Sequence, residues 1–453
     1  MSEPLMTLSE FAENLSQKTT IKGAASISFF SVSIDTRTIK PNSLFFALKG
    51  NRDGHDFVQM AADLGAAAAV VERLVPVSIP QIVVEDVKAA FLESATKWRQ
   101  RFKIPVVAVA GSNGKTTTTQ MILSVIKARF NPESWVGTEG NFNNDLGVPL
   151  MLWKLRKTTE IAVFEVGMNH VGEMAPLVQA ISPTVSVVTN TMRDHQEFLS
   201  SLEDTAKDNG QVYVALPSGG TAVINESDLF EKLWKDQAGE HRVITYGDKQ
   251  SDVWGESVDD GLLLHTPVGH ITVNLQLPGE HNQKNAVCAT AVSYAMGRDL
   301  SDIKTGLENF QAIKHRGQVF ELKNGSIVID DSYNANPDSM IAAINLLSSH
   351  HLPTVFVMGD MGELGVKSVD YHKEIGKYAF KKQVDKLYCI GNRTLDTVEA
   401  FGEGAVHYDS RERLLGDLMQ IAEESPCAIL FKASNFMQLY KVAEDLVQKL
   451  KKE

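Results

Sequence analysis

Residues 104–118 hold the chain's densest set of groups able to bind an anion. An apolar run of Ile, Val and Ala ends at Gly111. Then comes Gly111-Ser112-Asn113-Gly114-Lys115-Thr116-Thr117, before apolar residues return at helical spacing, Met121, Ile122, Val125 and Ile126. The two glycines let backbone N–H groups turn inward around a phosphate, and a helix N-terminus adds its partial positive charge. Lys115 can reach terminal phosphates and Thr116 can hold a magnesium ion. A glycine turn before a surface helix would not need lysine and threonine at the mouth of a buried strand. The general phosphate-loop pattern has a glycine five residues before Gly114, where this chain has Val109, so the loop is the shorter Gly-x-x-Gly-Lys-Thr form.

Other strand-like runs end on groups of related chemistry. Glu165 interrupts Ile161-Ala-Val-Phe-Glu165-Val-Gly167, near the carboxyl end of an expected parallel strand, where open α/β sheets deliver ligand groups. A buried glutamate needs a cation or a hydrogen-bond donor, and magnesium beside a nucleotide supplies this better than core packing does. After residues 184–190 comes Met192-Arg193-Asp194-His195. His195 thus also stands at a strand's carboxyl end, where a histidine serves equally as a surface residue or as a metal ligand. Asn282 and Asn285 lie three apart in an expected helix running to Met296. Both amides then face one way, as reading the edge of a base requires.

Positioning these groups takes more than one core, because 453 residues exceed what a single core usually supports. Patterning divides the chain into three α/β domains. Residues 1–103 read as a small one, with helices at 8–15, 58–64 and 87–102 and strands at 32–37, 43–50, 66–72 and 82–84. Its polar loop at 51–57 gathers Lys49, Arg52 and His55. Residues 104–314 read as a central P-loop ATPase-like domain on a parallel sheet. It carries a glycine and asparagine loop at 137–149 and an antiparallel appendage with strands around 252–264 and 270–277. Residues 315–453 alternate strand runs at 327–329, 354–358, 386–390 and 428–432 with helical patterns, a second, Rossmann-like parallel sheet.

Composition narrows the partners. With 44 basic and 56 acidic residues the net charge is −12, which speaks against a general nucleic-acid or membrane-surface binder. An anionic substrate must then be held by local cations and backbone amides. Cys288, Cys389 and Cys427 are too far apart for a disulfide framework or zinc site, and two of them lie in apolar strand-like runs as small buried hydrophobes. No basic start precedes an apolar run, and no stretch approaches the roughly eighteen apolar residues of a membrane span, so the expected location is cytoplasmic, without membrane insertion.

In chain order, Gly-Ser-Asn-Gly-Lys-Thr-Thr at 111–117, Gly-Asn-Phe-Asn-Asn-Asp-Leu-Gly-Val-Pro at 140–149, Phe-Glu-Val-Gly-Met-Asn-His at 164–170, Gly-Glu-His-Asn-x-x-Asn at 279–285, His-Arg-Gly-Gln at 315–318 and Asp-Asp-Ser-Tyr-Asn-Ala-Asn-Pro at 330–337 resemble the Mur ligases. Asp35-Thr36-Arg37 and the stretch from Leu44 to Phe57 extend the resemblance to nearly the whole chain. The pairing of Asn-Phe-Asn-Asn-Asp with Ser-Tyr-Asn-Ala-Asn-Pro looks like the branch that adds D-alanyl-D-alanine to a UDP-N-acetylmuramoyl tripeptide. Lysine and diaminopimelate at the tripeptide's third position are both compatible with these motifs.

The resemblance implies a bacterial cytoplasmic enzyme of peptidoglycan synthesis, acting as a monomer with ATP and Mg2+. By its motifs, Gly111, Ser112, Asn113, Gly114, Lys115, Thr116 and Thr117 would surround the phosphates. Thr116, Glu165 and His195 would hold metal, Asn282 and Asn285 the adenine, Arg316 the phosphates and Asp331 the ribose, with Asn336 beside the nucleotide. Lys115, Glu165, His195 and Arg316 would carry catalysis. Asp35, Arg37, Lys49, Arg52 and His55 would hold the UDP-sugar, making 1–103 the UDP-substrate domain, while Asn144 and Asp145 would face the peptide. The implied reaction runs through an acyl phosphate, which domain closure would shield from water.

Two departures stand out. The family usually ends its last motif Lys-Gly-Ser-Arg, where this chain has Lys432-Ala433-Ser434-Asn435. Asn209 occupies the place where many Mur ligases carry a lysine that becomes carbamylated and orients a second magnesium. Lys207 is two residues away, a rotation of roughly 200° on a helix, so it is expected to point away from the site. Asn209 is expected to offer an amide oxygen to a metal-bound water. Rival readings are a folylpolyglutamate synthase or another Mur ligase, against which the first-domain motif and Ser-Tyr-Asn-Ala-Asn-Pro argue, and a nucleotide-gated switch that turns over ATP without an acyl acceptor.

Overall fold

The computed structural model describes residues 3–194, 197–199 and 201–452. Among these residues the fold rests on three large α/β sheets, each built from short β-branched and apolar runs. The central sheet is ordered Gly269–Val273, Gly261–Thr266, Val253–Val258, Arg242–Gly247, Thr221–Asn225, Val185–Val188, Val106–Ala110, Ile161–Glu165 and Trp135–Gly137. From Val253–Val258 to Trp135–Gly137 the pairing is parallel. Alternate residues of its strands feed two separate cores: Val106, Ala108 and Phe164 face one layer, Val107, Val109 and Val163 the other. The expected antiparallel appendage is the continuation of this sheet, a meander that turns back at Gly261 and Gly269.

The strand Val106–Ala110 lies between Val185–Val188 and Ile161–Glu165, so the chain leaves it in one direction and returns on both sides. Such a reversal opens a crevice at the strands' carboxyl ends. The phosphate loop fills the first strand tip and Glu165 ends the next.

The N-terminal sheet, ordered Thr20–Lys22, Gln81–Val83, Ala68–Val71, Ser43–Phe46 and Ser31–Ser33, does not stand apart. One apolar core runs from Phe11, Phe29, Phe46 and Phe91 into the central sheet's outer layer, with Trp98 stacked on Trp153 at 5.3 Å between ring centroids. The C-terminal sheet is ordered Gln318–Glu321, Ile327–Asp330, Ala428–Lys432, Thr354–Gly359, Lys386–Ile390 and Ala405–Tyr408, parallel except for its first strand. The edge strands Gln318–Glu321 and Ala405–Tyr408 escape the sequence pattern because half-exposed edges need no continuous apolar run. All three cysteines are buried and free. No helix among the described residues is long and apolar enough to cross a membrane.

Candidate active site

A cleft of about 470 Å³ opens between the central and C-terminal sheets. The phosphate loop forms its floor. Gly111 (φ +124°) and Gly114 (φ +79°) adopt backbone conformations that side chains resist, and a Cβ at either would collide, with Thr189 Oγ1 and Asn285 Oδ1 respectively. The helix Lys115–Lys127 starts directly at the loop, so its free N–H groups face the cleft. Lys115 Nζ donates to the carbonyls of Gly111 at 2.6 Å and Ser112 at 2.9 Å, folded onto the loop it would leave for a phosphate. Thr116 and Thr117 line the cleft beside it.

Glu165 is 2% exposed. Its Oε1 accepts from Asn143 Nδ2 at 2.7 Å, whereas Oε2 is buried without any hydrogen-bond partner. A carboxylate oxygen left in that state beside a phosphate loop is what a divalent cation would complete, so the residues present fit magnesium. His195 lies outside the described residues.

The other wall comes from further along the chain. Asn282 and Asn285 are both buried on the helix Glu280–Ala295 and both line the cleft, Asn285 packed on Gly114. Arg316 lies over the Tyr333 ring at 3.9 Å from its centroid. The turn that presents it is anchored by His315, whose Nδ1 pairs with Asp330 Oδ2 at 2.7 Å and whose ring stacks on Tyr440. Asp331 reaches the cleft with Oδ2 already accepting from Lys432 Nζ at 2.5 Å, an ion pair whose lysine is only 4% exposed. Asn336 caps the helix Pro337–Leu347 and exchanges amide hydrogen bonds with Asn113, its Nδ2 donating to Asn113 Oδ1 at 2.8 Å. Asn336, expected beside the nucleotide, thus joins the two walls.

The expected peptide-facing loop also borders the cleft. Asn144 Oδ1 is occupied by the backbone N–H groups of Leu146 and Gly147, and Asp145 pairs with Lys88 at 2.5 Å. The N-terminal group is elsewhere: Asp35, Arg37, Lys49, Arg52 and His55 do not line this cleft. Arg37 pairs with Asp35, Lys49 with Glu72, and Arg52 covers the Phe57 ring. His55, expected with them at the UDP-sugar, is buried. It is 3% exposed, Nδ1 bonds Asp53 Oδ1 at 2.6 Å and Nε2 accepts the Glu72 N–H at 2.9 Å, so the ring braces its own loop. The backbone and ring N–H of His55, then Arg73, hold the Asp53 carboxyl well below the usual range.

Asn209 is buried on the helix Leu202–Asn209 while Lys207 is exposed, as the helical rotation requires, and its Oδ1, expected to serve a metal-bound water, accepts the Gly111 N–H of the phosphate loop at 3.1 Å. Sequence reasoning missed Asn143, Lys432 and Tyr333 as cleft residues. Lys432 had a signal, a charge ending a fully apolar strand; Asn143 lay among other asparagines in a loop with nothing to single it out.

Family models match most of the chain: the Mur ligase family catalytic domain over residues 29–111, the Mur ligase middle domain over 109–293, and the Mur ligase glutamate ligase domain over 315–435. The UDP-N-acetylmuramoyl-tripeptide–D-alanyl-D-alanine ligase of Escherichia coli K12 is 35% identical, across 97% of this chain and 98% of that protein. Among solved structures, MurF from Acinetobacter baumannii superposes with a TM-score of 0.90 at 31% identity, covering 98% of this chain and 99% of that one. MurF ligase from Thermotoga maritima in complex with ADP gives 0.81 at 25% identity, covering 93% and 98%. With motifs, fold and full-length similarity in agreement, the chain belongs to the Mur ligase family.

Proposed function

We propose that this protein is the ATP-dependent ligase that joins D-alanyl-D-alanine to a UDP-N-acetylmuramoyl tripeptide in peptidoglycan synthesis. The observation that carries the reading is the cleft itself, in which one sheet supplies a phosphate loop and the buried Glu165 while another supplies Arg316, Asp331 and Lys432. The working unit in this proposal is a monomer. A cytoplasmic location accords with nucleotide-linked substrates.

In the reaction a carboxylate oxygen of the bound tripeptide attacks the ATP γ-phosphorus and ADP leaves, giving an acyl phosphate. The amine of D-alanyl-D-alanine then attacks the acyl carbon, phosphate leaves and the amine's proton is released. Both steps move negative charge, so the protein's work is orientation and fixed positive charge. Lys115 swings from the loop carbonyls to the transferring phosphoryl group, and Arg316 approaches the phosphates from the opposite wall. Thr116 and Glu165 would hold Mg2+, with His195 as a third ligand. Such a cation would take its remaining ligands from phosphate oxygens and water. When bound, the cation neutralises charge on the phosphates. Asn282 and Asn285 face the adenine. Asp331, steadied by Lys432, keeps its other oxygen for the ribose. Asp35, Arg37, Lys49 and Arg52 hold the UDP moiety on the N-terminal sheet.

Phosphate release tests this directly. With ATP and the UDP-tripeptide present, release should depend on D-alanyl-D-alanine and match the pentapeptide formed. Turnover that ignores the dipeptide would favour a nucleotide-gated switch.

A further inference from the structure

We infer that Asn143 is a positioning residue for the cation at Glu165: its amide occupies one carboxylate oxygen and leaves the other turned to the metal. The inference rests on the metal role proposed for Glu165. Both side chains border the cleft, and their geometry is fixed from two sides. The Glu165 backbone N–H donates to Thr138 Oγ1 at 2.8 Å, and the Asn143 carbonyl accepts the Gly167 N–H at 2.8 Å, so the loop is tied to the strand's continuation just beyond the carboxylate. Between these ties, Asn143 Nδ2 donates to Oε1 at 2.7 Å and Oε2 has no partner at all.

The choice of an amide matters. A lysine or arginine here would neutralise the carboxylate and compete with a cation, and an aspartate would repel it. A neutral N–H donor orients the group and leaves its charge available. A hydrogen bond serving the fold alone has no reason to leave the second oxygen buried and unmet beside a phosphate loop, where that omission is costly. Outer residues that orient metal ligands typically influence affinity by tenfold or more.

The test uses the full-length protein with ADP and Mn2+ as the probe, binding being read by electron paramagnetic resonance and folding by thermal denaturation. Asn143→Ala should weaken Mn2+ binding by about tenfold or more, with its melting transition retained, and Glu165→Gln should weaken it at least as far. Unaltered affinity in Asn143→Ala, with Glu165→Gln weakened, would overturn the inference and leave the metal role of Glu165 standing. Unaltered affinity in both would overturn both. Should the alanine variant not fold, Asn143→Ser shortens the side chain so that no donor reaches Oε1; its Mn2+ affinity should fall by about tenfold or more, and equal affinity would overturn the inference.

Discussion

Lys115 and Asn209 act on the phosphate loop from opposite directions. Lys115 rests on the carbonyls of Gly111 and Ser112, contacts that a bound phosphate would replace. Lys115→Ala should therefore keep the fold and cut ligation by about 10² to 10³, since one aligned donor at developing charge is worth that much. Near-normal turnover in the folded variant would refute its role. Asn209 instead fixes the loop by accepting the Gly111 N–H. Asn209→Ala leaves that buried donor unmet and should cost about 1–3 kcal/mol in denaturant unfolding. Because an amide cannot form a carbamate, activity should not change when carbon dioxide and bicarbonate are removed. Restoration of lost activity by bicarbonate would show that an amine elsewhere takes that part.

At the scale of elements, the sheets turn scattered residues into sets. The tips of Val106–Ala110 and Ile161–Glu165 are neighbours only because those strands pair in parallel, Glu165 opposite Val109. In the N-terminal unit the short helical turn Gly54–Phe57 is closed by Asp53 and braced by His55, and this holds Lys49 and Arg52 at the surface. Lys49 is paired with Glu72 yet more than half exposed, so a diphosphate can compete for it. Neutralising Lys49 and Arg52 together should raise the KM for the UDP-tripeptide and leave that for ATP unchanged. Parallel rises in both would mean the loop only solubilises the surface. His55→Ala should act differently, lowering thermal stability, because it strips the Glu72 N–H of its acceptor.

At the scale of the molecule, the joints differ in kind. The N-terminal and central units share one apolar core, whereas the central and C-terminal units meet through polar contacts. Arg193 is the strongest of these: it reaches Asp338 at 2.7 Å and Glu374 at 2.8 Å and lies over the Tyr371 ring. Asn113 and Asn336 form a second tie at the phosphate loop itself. A polar joint can open to admit substrates and close to exclude water, which a shared core cannot do cheaply. Arg193→Ala should shift the population toward open forms, raising the radius of gyration measured by small-angle X-ray scattering and lowering kcat. An Asp338→Ala partner should show coupling of about 1 kcal/mol in a double-mutant cycle, partly exposed pairs being worth little more. An unchanged radius of gyration would reduce Arg193 to a surface ion pair.

The sequence by itself determined the phosphate loop, the alternation of strand and helix, and the order of the motifs, because each depends on residues close together in the chain: glycine beside lysine, apolar runs of strand length, asparagines three apart on a helix. Residues that gain their roles from distant partners were legible only in part. Glu165 stood out as a charge in an apolar strand, but Asn143, which holds it, looked like its neighbours. The resemblance places His55 among the UDP-sugar residues; only the fold shows both its ring nitrogens engaged within its own domain. Likewise the sequence could place Asn209 on the inner face of its helix, but which group its oxygen would meet was decided by the packing of that helix against the phosphate loop, 98 residues away in the chain. Hydrogen-bond partners so far apart leave no spacing signal, and a polar side chain is committed to one partner only when the tertiary fold brings that partner within reach.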